Sequence, residues 1–506
     1  MTSVEPAQGE VETLFEDRLA RFRRTREFVE RHVLPLATSV DGRRFRLQAS
    51  LHGLALRAGG YVVLESEGRS RLGQITDLVA DTDTVDDEAT AGGAGRFQAR
   101  LARGAGIVLD PDATSFHDAP MRPAEPREVA AWFDARRPAR AGLTVGELLL
   151  APGVPAVLDS GGFNRHTFMC GQSGSGKTYS LGVLLEQILA ETTLRVIVLD
   201  PNSDYVNLGR VRPGADPGAA AAYAHVPDQV AVWGDGPRGT HPLRLRFGEL
   251  DPAAQGGVLG LDPLRDRDEY AVLLDLVRSG ERGHAAIDHL EELGQADVPG
   301  ARALGLRAGN LGAADWSVWD PEARSLVEEM REPTARCIVV DLGSLGSTVE
   351  QRLVTQAVLS TLWTQRHTRQ PCLLVVDEAH NVCPAEPPDR LSALATDTAV
   401  QIAAEGRKFG LYLLTSTQRP HKVHENVVSQ CDNLLLMRMN SAADVGDLER
   451  LFSFVPPGLM AGAPDFAMGT ALVAGKFFPQ AGYVRMGNRV TEEGGADVPT
   501  TWASPR

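Results

Sequence analysis

Thr167-Phe168-Met169-Cys170-Gly171-Gln172-Ser173-Gly174-Ser175-Gly176-Lys177-Thr178 joins a short apolar run to a glycine-rich loop, and Tyr179–Leu189 continues it with helical composition. Gly171 to Thr178 matches the phosphate-loop pattern at every specified position, with the strand before and the helix after that the pattern requires. The chemistry follows from the residue types. Gly171, Gln172, Ser173, Gly174, Ser175 and Gly176 supply a backbone free enough to curl its N–H groups round phosphate oxygens. Lys177 has the reach for the β- and γ-oxygens, and Thr178 offers its hydroxyl to Mg2+. The helix N-terminus adds a partial positive charge. The plainer alternative is a Gly/Ser-rich loop that turns a strand into a helix.

Downstream, Cys372-Leu373-Leu374-Val375-Val376-Asp377-Glu378-Ala379-His380 is an apolar strand that ends in two carboxylates, the expected second half of such a site. Asp377 would hold Mg2+ through water, and Glu378 would polarise the attacking water as general base. No Asn/Thr-Lys-x-Asp guanine-reading motif is present, which favours ATP over GTP. Thr415 to Pro420 closes another strand and sets Gln418 where loss of the γ-phosphate can be sensed. Glu405 to Gly410 ends a helix that begins near Asp389. Its Arg407 either partners the helix dipole or stabilises phosphoryl charge across a subunit interface.

Around these motifs, strand-like runs at Thr167–Cys170, Arg195–Asp200, Cys337–Asp341, Cys372–Asp377, Leu411–Ser416 and Asn433–Met439 alternate with helical stretches. That rhythm predicts an α/β core with a mainly parallel sheet covered on both faces, over residues 143–248 and 334–489. Residues 249–333 break it as a helical insertion, with helices at Asp268–Ser279, Ala285–Leu293 and Pro321–Glu329, and Trp316 and Trp319 as packing anchors. Upstream, residues 41–119 read as a small β-barrel with strands at Phe45–Leu51, Gly60–Leu64, Arg71–Leu78 and Arg96–Leu109 and a flexible acidic loop from Asp81 to Gly95. Residues 1–40 are expected to hold an amphipathic helix, 120–142 a Pro- and Arg-rich connector, and 490–506 a frayed polar tail.

With 506 residues, 43% hydrophobic and 23% charged, the chain suits several globular units. No stretch approaches the ~20 apolar residues that span a bilayer, and no secretory apolar region opens the chain, so a cytoplasmic protein without a membrane partner is expected. Five cysteines without a Cys-x-x-Cys pair are read as buried free thiols. A formal charge of -15 excludes a surface basic all round, although an acidic ring can still line its channel with Lys and Arg. No nuclease constellation stands outside the nucleotide site, so any chemistry on nucleic acid is assigned to a partner.

From roughly Leu143 to Arg485 the chain resembles the HerA branch of the FtsK/HerA ATPases. The resemblance lies in Asn164–Thr167, Leu199–Asp204, Asp377–His380, Glu405–Gly410 and Ser416–Pro420, in the family's order, and residues Phe45–Leu109 are similar to the barrel ahead of the HerA core. It implies a RecA-like P-loop fold and a homohexameric ring with double-stranded DNA in its channel. ATP and Mg2+ would sit between neighbouring subunits. Lys177 and Thr178 would contact phosphate and metal, Glu378 would be the catalytic carboxylate, Gln418 the sensor, and Arg407 the arginine donated to the neighbour. Arg165 and Asp200 fall within family motifs. The implied activity is an ATP-dependent DNA translocase or helicase working with a separate nuclease or defence effector subunit. The alternatives are a ring scaffold that activates an antiphage effector, and a secretion or conjugation ATPase, which the missing membrane segment disfavours.

Overall fold

In Arg44–Ser50 side chains alternate between water and interior, with Phe45, Leu47 and Ala49 buried, the period of a strand with one wet face. The structure, a computed structural model, describes residues 15–21, 23, 24, 35–51, 54–86, 96–279, 287 and 290–495. Its first unit has six strands: β1 (Leu36–Ser39), β2 (Arg44–Ser50), β3 (Tyr61–Ser66), β4 (Arg69–Asp86), β5 (Arg96–Val108) and β6 (Phe116–Pro123). They close an antiparallel barrel in the order β1-β2-β5-β4-β3-β6. Phe45, Leu47, Val62, Leu64, Ile75 and Phe116 fill it. Gly106 lacks a Cβ that would stand 2.2 Å from the Phe45 ring, so the ring can occupy the interior.

In the barrel, β1 and β6 were not foreseen in the sequence, nor in the second unit were the strands at Gly142–Leu148, Pro155–Asp159, Val230–Trp233, Thr470–Gly475 and Gly482–Met486. The β6 strand runs into the stretch expected to be a connector, because Phe116, Ala119 and Met121 face inward only after a bulge opposite Ala37 and Ser39 spoils the simple alternation. The same stretch holds helix α1 (Pro126–Asp134), started by a capping box between Glu125 and Glu128 and by proline in its first turn. The acidic loop expected from Asp81 is strand as far as Asp86, paired residue by residue with Arg96–Leu101. Thr82, Thr84 and Val85 are β-branched, and that preference outweighs the aspartates. Residues 87–95 lie outside the described residues.

The second unit is the α/β body. Its strands are β7 (Gly142–Leu148), β8 (Pro155–Asp159), β9 (His166–Cys170), β10 (Arg195–Asp200), β11 (Val230–Trp233), β12 (Cys337–Asp341), β13 (Cys372–Val376), β14 (Leu411–Thr417), β15 (Cys431–Leu436), β16 (Thr470–Gly475) and β17 (Gly482–Met486). They form one sheet in the order β11-β12-β10-β13-β14-β9-β15-β16-β17-β7-β8. From β11 to β15 all neighbours are parallel, whereas β15-β16, β16-β17 and β7-β8 are antiparallel. Strands β9, β12 and β13 are buried at every position, as a sheet covered on both faces demands. The helices include α2 (Lys177–Glu191), α3 (Arg267–Ser279), α4 (Pro299–Leu311), α5 (Thr348–Thr364) and α6 (Arg390–Glu405). No helix among the described residues is long and apolar enough to cross a membrane. All five cysteines are buried and free.

Residues 249–333 are helical in several short pieces. The helix expected at Pro321–Glu329 is found at Leu326–Arg331, because Ser325 and Glu328 form a capping box there while Asp320 caps the turn before it. Trp319 is buried, stacks near Trp316 and donates to Ala313 O at 2.8 Å. Of the helix expected at 285–293, residues 285, 286, 288 and 289 lie outside the described residues. Residues 15–21, 23 and 24 are helical, and the remainder of the expected N-terminal helix is also outside them.

The tail differs from expectation. Val490 and Thr491 are buried, and their backbone N–H groups donate to Glu186 of α2 at 2.7 and 2.9 Å. Arg489, 1% exposed, lies 3.4 Å from the same carboxylate, against the face where Gly182 leaves room for the guanidinium. The segment 487–495 is thus a strap stapled to the phosphate-loop helix, although its polar sequence reads as fraying. Residues 496–506 lie outside the described residues. Arg489→Ala leaves Glu186 buried with its charge partner gone, a change that costs about 3–5 kcal/mol. Chemical denaturation of the variant is expected to show that loss in the α/β unit, and an unchanged transition would contradict the staple.

Candidate nucleotide site

Parallel strands place their carboxyl ends on one edge, where an α/β sheet opens a crevice. In register, Val376 pairs with Thr415, Ser416 with Met169 and Thr417 with Cys170. The residues that follow β13, β14 and β9 therefore meet at that edge: Asp377 and Glu378, Gln418, and the loop Gly171–Gly176. Gly174 (φ +72°) and Gly176 (φ +87°) adopt the left-handed conformation that only glycine takes without strain. Gln172 N donates to Arg438 O at 2.9 Å and Arg438 Nη2 donates to Gly174 O at 2.9 Å, which fixes the loop against the second residue after β15. The Ser175 hydroxyl is buried without a hydrogen-bond partner.

Lys177 opens α2 and is buried. Its Nζ donates to Asp377 Oδ1 at 2.7 Å and to Ser416 Oγ at 3.0 Å, and stands 3.4 Å from Glu378 Oε1. Burial pulls its pKa down, but the Asp377 and Glu378 charges more than offset this and hold it above the ordinary lysine value. Tyr205 Oη approaches the other Asp377 oxygen at 3.5 Å.

Glu378 has φ +46°, a left-handed backbone for a residue with a side chain. Such a conformation costs about 1–2 kcal/mol and persists where packing over-determines it. Gln418 Nε2 donates to Glu378 Oε1 at 2.8 Å. His380 Nδ1 lies 3.3 Å from Glu378 Oε2 and 3.1 Å from Thr417 Oγ1. Burial holds the His380 pKa below its ordinary value, against the pull of the Glu378 charge. The glutamate is thus aimed by groups from α2, β14 and its own turn.

A cavity of about 560 Å³ opens here, lined among others by Gln172, Ser173, Gly174, Gly176, Lys177, Thr178 and Gln418. Its size is that of a small-molecule site.

Residues 143–298 match the family model described as the helicase HerA, central domain. Over these residues the chain is similar to the HerA central domain. The DNA double-strand break repair helicase HerA of Pyrococcus furiosus is 23% identical over 388 residues, covering 69% of this chain and 70% of that protein. The probable DNA double-strand break repair helicase HerA of Methanocaldococcus jannaschii is 23% identical over 497 residues, 88% of this chain and 93% of that protein. Among solved structures, VirB4 of Thermoanaerobacter pseudethanolicus covers 69% of this chain and 96% of its own length, with 15% identity and a TM-score of 0.47.

In the α/β body Arg407 stands apart from the cavity. It lies in the turn Gly406–Phe409 before β14, so the whole seven-residue strand, about 23 Å, separates it from Gln418. Its Nη1 donates to Asp432 Oδ2 at 2.7 Å, and Arg165 reaches the same oxygen at 3.8 Å. Asp200 caps the turn after β10: its carboxylate accepts from the backbone N–H groups of Asn202, Asp204 and Tyr205 at 3.3, 3.0 and 2.8 Å. Several contacts escaped the sequence reading. Ser416 on Lys177, His380 on Glu378 and the strap residues Asn488 and Glu493 at the cavity wall depend on strand order and long-range docking, for which no local spacing gives a signal.

Burial pushes the Asp200 carboxyl up to about 7, against the hydrogen bonds from Tyr205 and Asp204, and pushes Asp204 up to about 6, with the Asp377 charge acting in the same direction. A carboxyl that holds its proton more tightly when folded contributes stability that is full below about pH 4 and is lost as pH rises toward 7. Asp200→Asn removes that dependence. Thermal unfolding is expected to show the variant gaining on the wild type between pH 5 and pH 8, and a pH-independent difference would contradict the raised pKa.

Proposed function

We propose that this HerA-type chain hydrolyses ATP at the Gly171–Thr178 loop and uses the cycle, as a homohexameric ring, to move double-stranded DNA. The observation that carries the reading is the meeting of Lys177, Asp377, Glu378 and Gln418 at one cavity beside the loop. The names of the relatives, DNA repair helicases, support the choice of substrate.

The ion pairs of Lys177 define what binding must do. A triphosphate brings negative charge that competes with Asp377 and Glu378 for the ammonium, and Lys177 turns to the β- and γ-oxygens while loop N–H groups close round them. Thr178 and Asp377 are hard oxygen donors of the kind Mg2+ takes, so the residues present fit that ion. Bound there, Mg2+ offsets phosphate charge. Freed from Lys177, Glu378 accepts a proton from water as the water oxygen bonds to the γ-phosphorus and the bond to the β,γ-bridging oxygen breaks, releasing ADP and phosphate. Gln418, bonded to Glu378, passes the change at the γ-position to β14. Arg407, remote from its own cavity, serves a neighbour's. A separate nuclease or effector subunit acts on the DNA that the ring delivers.

ATP hydrolysis by the wild type, Lys177→Ala and Glu378→Gln tests the assignment. Glu378→Gln is expected to bind ATP but to turn over about a hundredfold more slowly or worse, whereas Lys177→Ala loses affinity as well. Linear duplex is expected to stimulate the wild type, with a stimulation that fades as salt rises. Normal turnover by Glu378→Gln contradicts the general base, and a rate indifferent to duplex at every salt removes the motor in favour of a nucleotide-dependent scaffold.

A further inference from the structure

The N-terminal helix carries an apolar row that its own chain leaves in water. Residues 15–21, 23 and 24 are helical, and all of them except half-buried Ala20 are exposed. Phe15 is 68% exposed and Leu19 40%. Four positions apart, they stand on one face of the helix. A helix this short is marginal in water by itself and draws its stability from packing such a face. The flanks of the face are basic: Arg18 follows Phe15 by three positions and Arg23 follows Leu19 by four, with Arg21 and Arg24 beside them, against Glu16 and Asp17. The whole chain carries a formal charge of -15, so the helix is a basic element on an acidic protein.

The outside of the barrel holds a surface that matches. A groove of about 720 Å³ crosses the strands there, lined among others by Leu36, Arg46, Asp77, Val79 and Asp118. Val79 is 54% exposed, a large apolar side chain on the outer face of β4. Asp77 and Asp118 are exposed acids of the same groove. Of its two arginines, Arg103 pairs with Asp81 at 2.8 Å, whereas Arg46 is exposed and suits Glu16 or Asp17 of the helix. Residues 25–34 lead from the helix toward β1, a length that an extended chain spans in about 35 Å at most. Leu36, the first residue of β1, lines the groove, so each chain sends out its helix from the border of its own groove.

We infer that the N-terminal helix of one copy docks in the barrel groove of a second copy, with Phe15 and Leu19 against Val79 and Leu36, and Arg18 and Arg23 toward Asp77 and Asp118. A duplex would meet the arginines but offers no apolar surface to the phenylalanine and leucine, so the combination selects a protein face that is apolar and acidic. That the face belongs to a second copy follows from the exposure of Phe15 and Leu19, which their own chain does not cover. Two barrels side by side bring the helix of one to the groove of the next. Such a contact is head to tail, and a ring closes it at every subunit with no helix or groove left over. The inference rests on the reading of the chain as a ring of identical subunits, and it adds to that reading a joint between neighbours that lies on the barrel and not at the nucleotide cavity.

The five native cysteines are buried, so cysteines introduced at exposed positions react selectively. Full-length chains carrying Leu19→Cys are co-expressed with chains carrying Val79→Cys and oxidised. A disulfide-linked dimer is expected on a non-reducing gel, and the double variant Leu19→Cys/Val79→Cys is expected to give a ladder of multimers. Val40, 91% exposed on the barrel but outside the groove, serves as control: Leu19→Cys with Val40→Cys is expected to crosslink little. A double variant that yields only internally linked monomer, or equal crosslinking to Val40→Cys, overturns the docking. Sedimentation gives a second reading. Phe15→Asp/Leu19→Asp changes two exposed side chains and is expected to assemble only at concentrations about tenfold higher or more. Unchanged assembly of that variant overturns the docking and leaves the ring standing, whereas a wild type that stays monomeric at every concentration removes the ring and the docking with it.

Discussion

A buried ammonium needs charge partners, and in this chain Lys177 finds them two strands away. Its ion pair with Asp377, supported by Glu378 and Ser416, links α2, β13 and β14 in one contact. A lone lysine in that place would be driven to neutrality by desolvation. The order β13-β14-β9 is what brings the three elements together, since each parallel neighbour delivers its next residue to the same edge. On the proposed function, the carboxylates that hold the lysine are those that a triphosphate would displace.

Strain and hydrogen bonding converge on Glu378. A left-handed backbone at a glutamate has no local preference behind it, so the surrounding turn imposes it. The result is a carboxylate that faces Lys177, Gln418 and His380 together. Arg407, by contrast, is held by Asp432 at the other end of β14, with Arg165 near the same acid. The cavity thus lies at one edge of the sheet and this pair of arginines at the opposite edge.

Much of this was legible locally. The loop Gly171–Thr178 and the pair Asp377-Glu378 are short patterns whose residue types are dictated by phosphate and water chemistry, and the core strands announced themselves as apolar runs. What the sequence concealed depends on distant partners. The barrel needs β6, whose alternation a bulge disrupts, and β4 extends through aspartates because the partner strand offers a paired backbone. The strap at 487–495 looks polar because its buried polar groups pair with a distant residue: Arg489 and Thr491 lie some 300 positions from Glu186 and meet it only in the folded body. A polar stretch is read as loose unless its partner is known.

The central claim is that Lys177 exchanges its carboxylate partners for phosphate. The direct measurement is a high-resolution structure of the chain with Mg2+ and a non-hydrolysable ATP analogue. The Lys177 ammonium is expected within hydrogen-bond distance of β- and γ-oxygens, no longer bonded to Asp377 Oδ1, with Glu378 turned toward the γ-phosphorus. An analogue bound at the loop while Lys177 still holds Asp377 at 2.7 Å would contradict it.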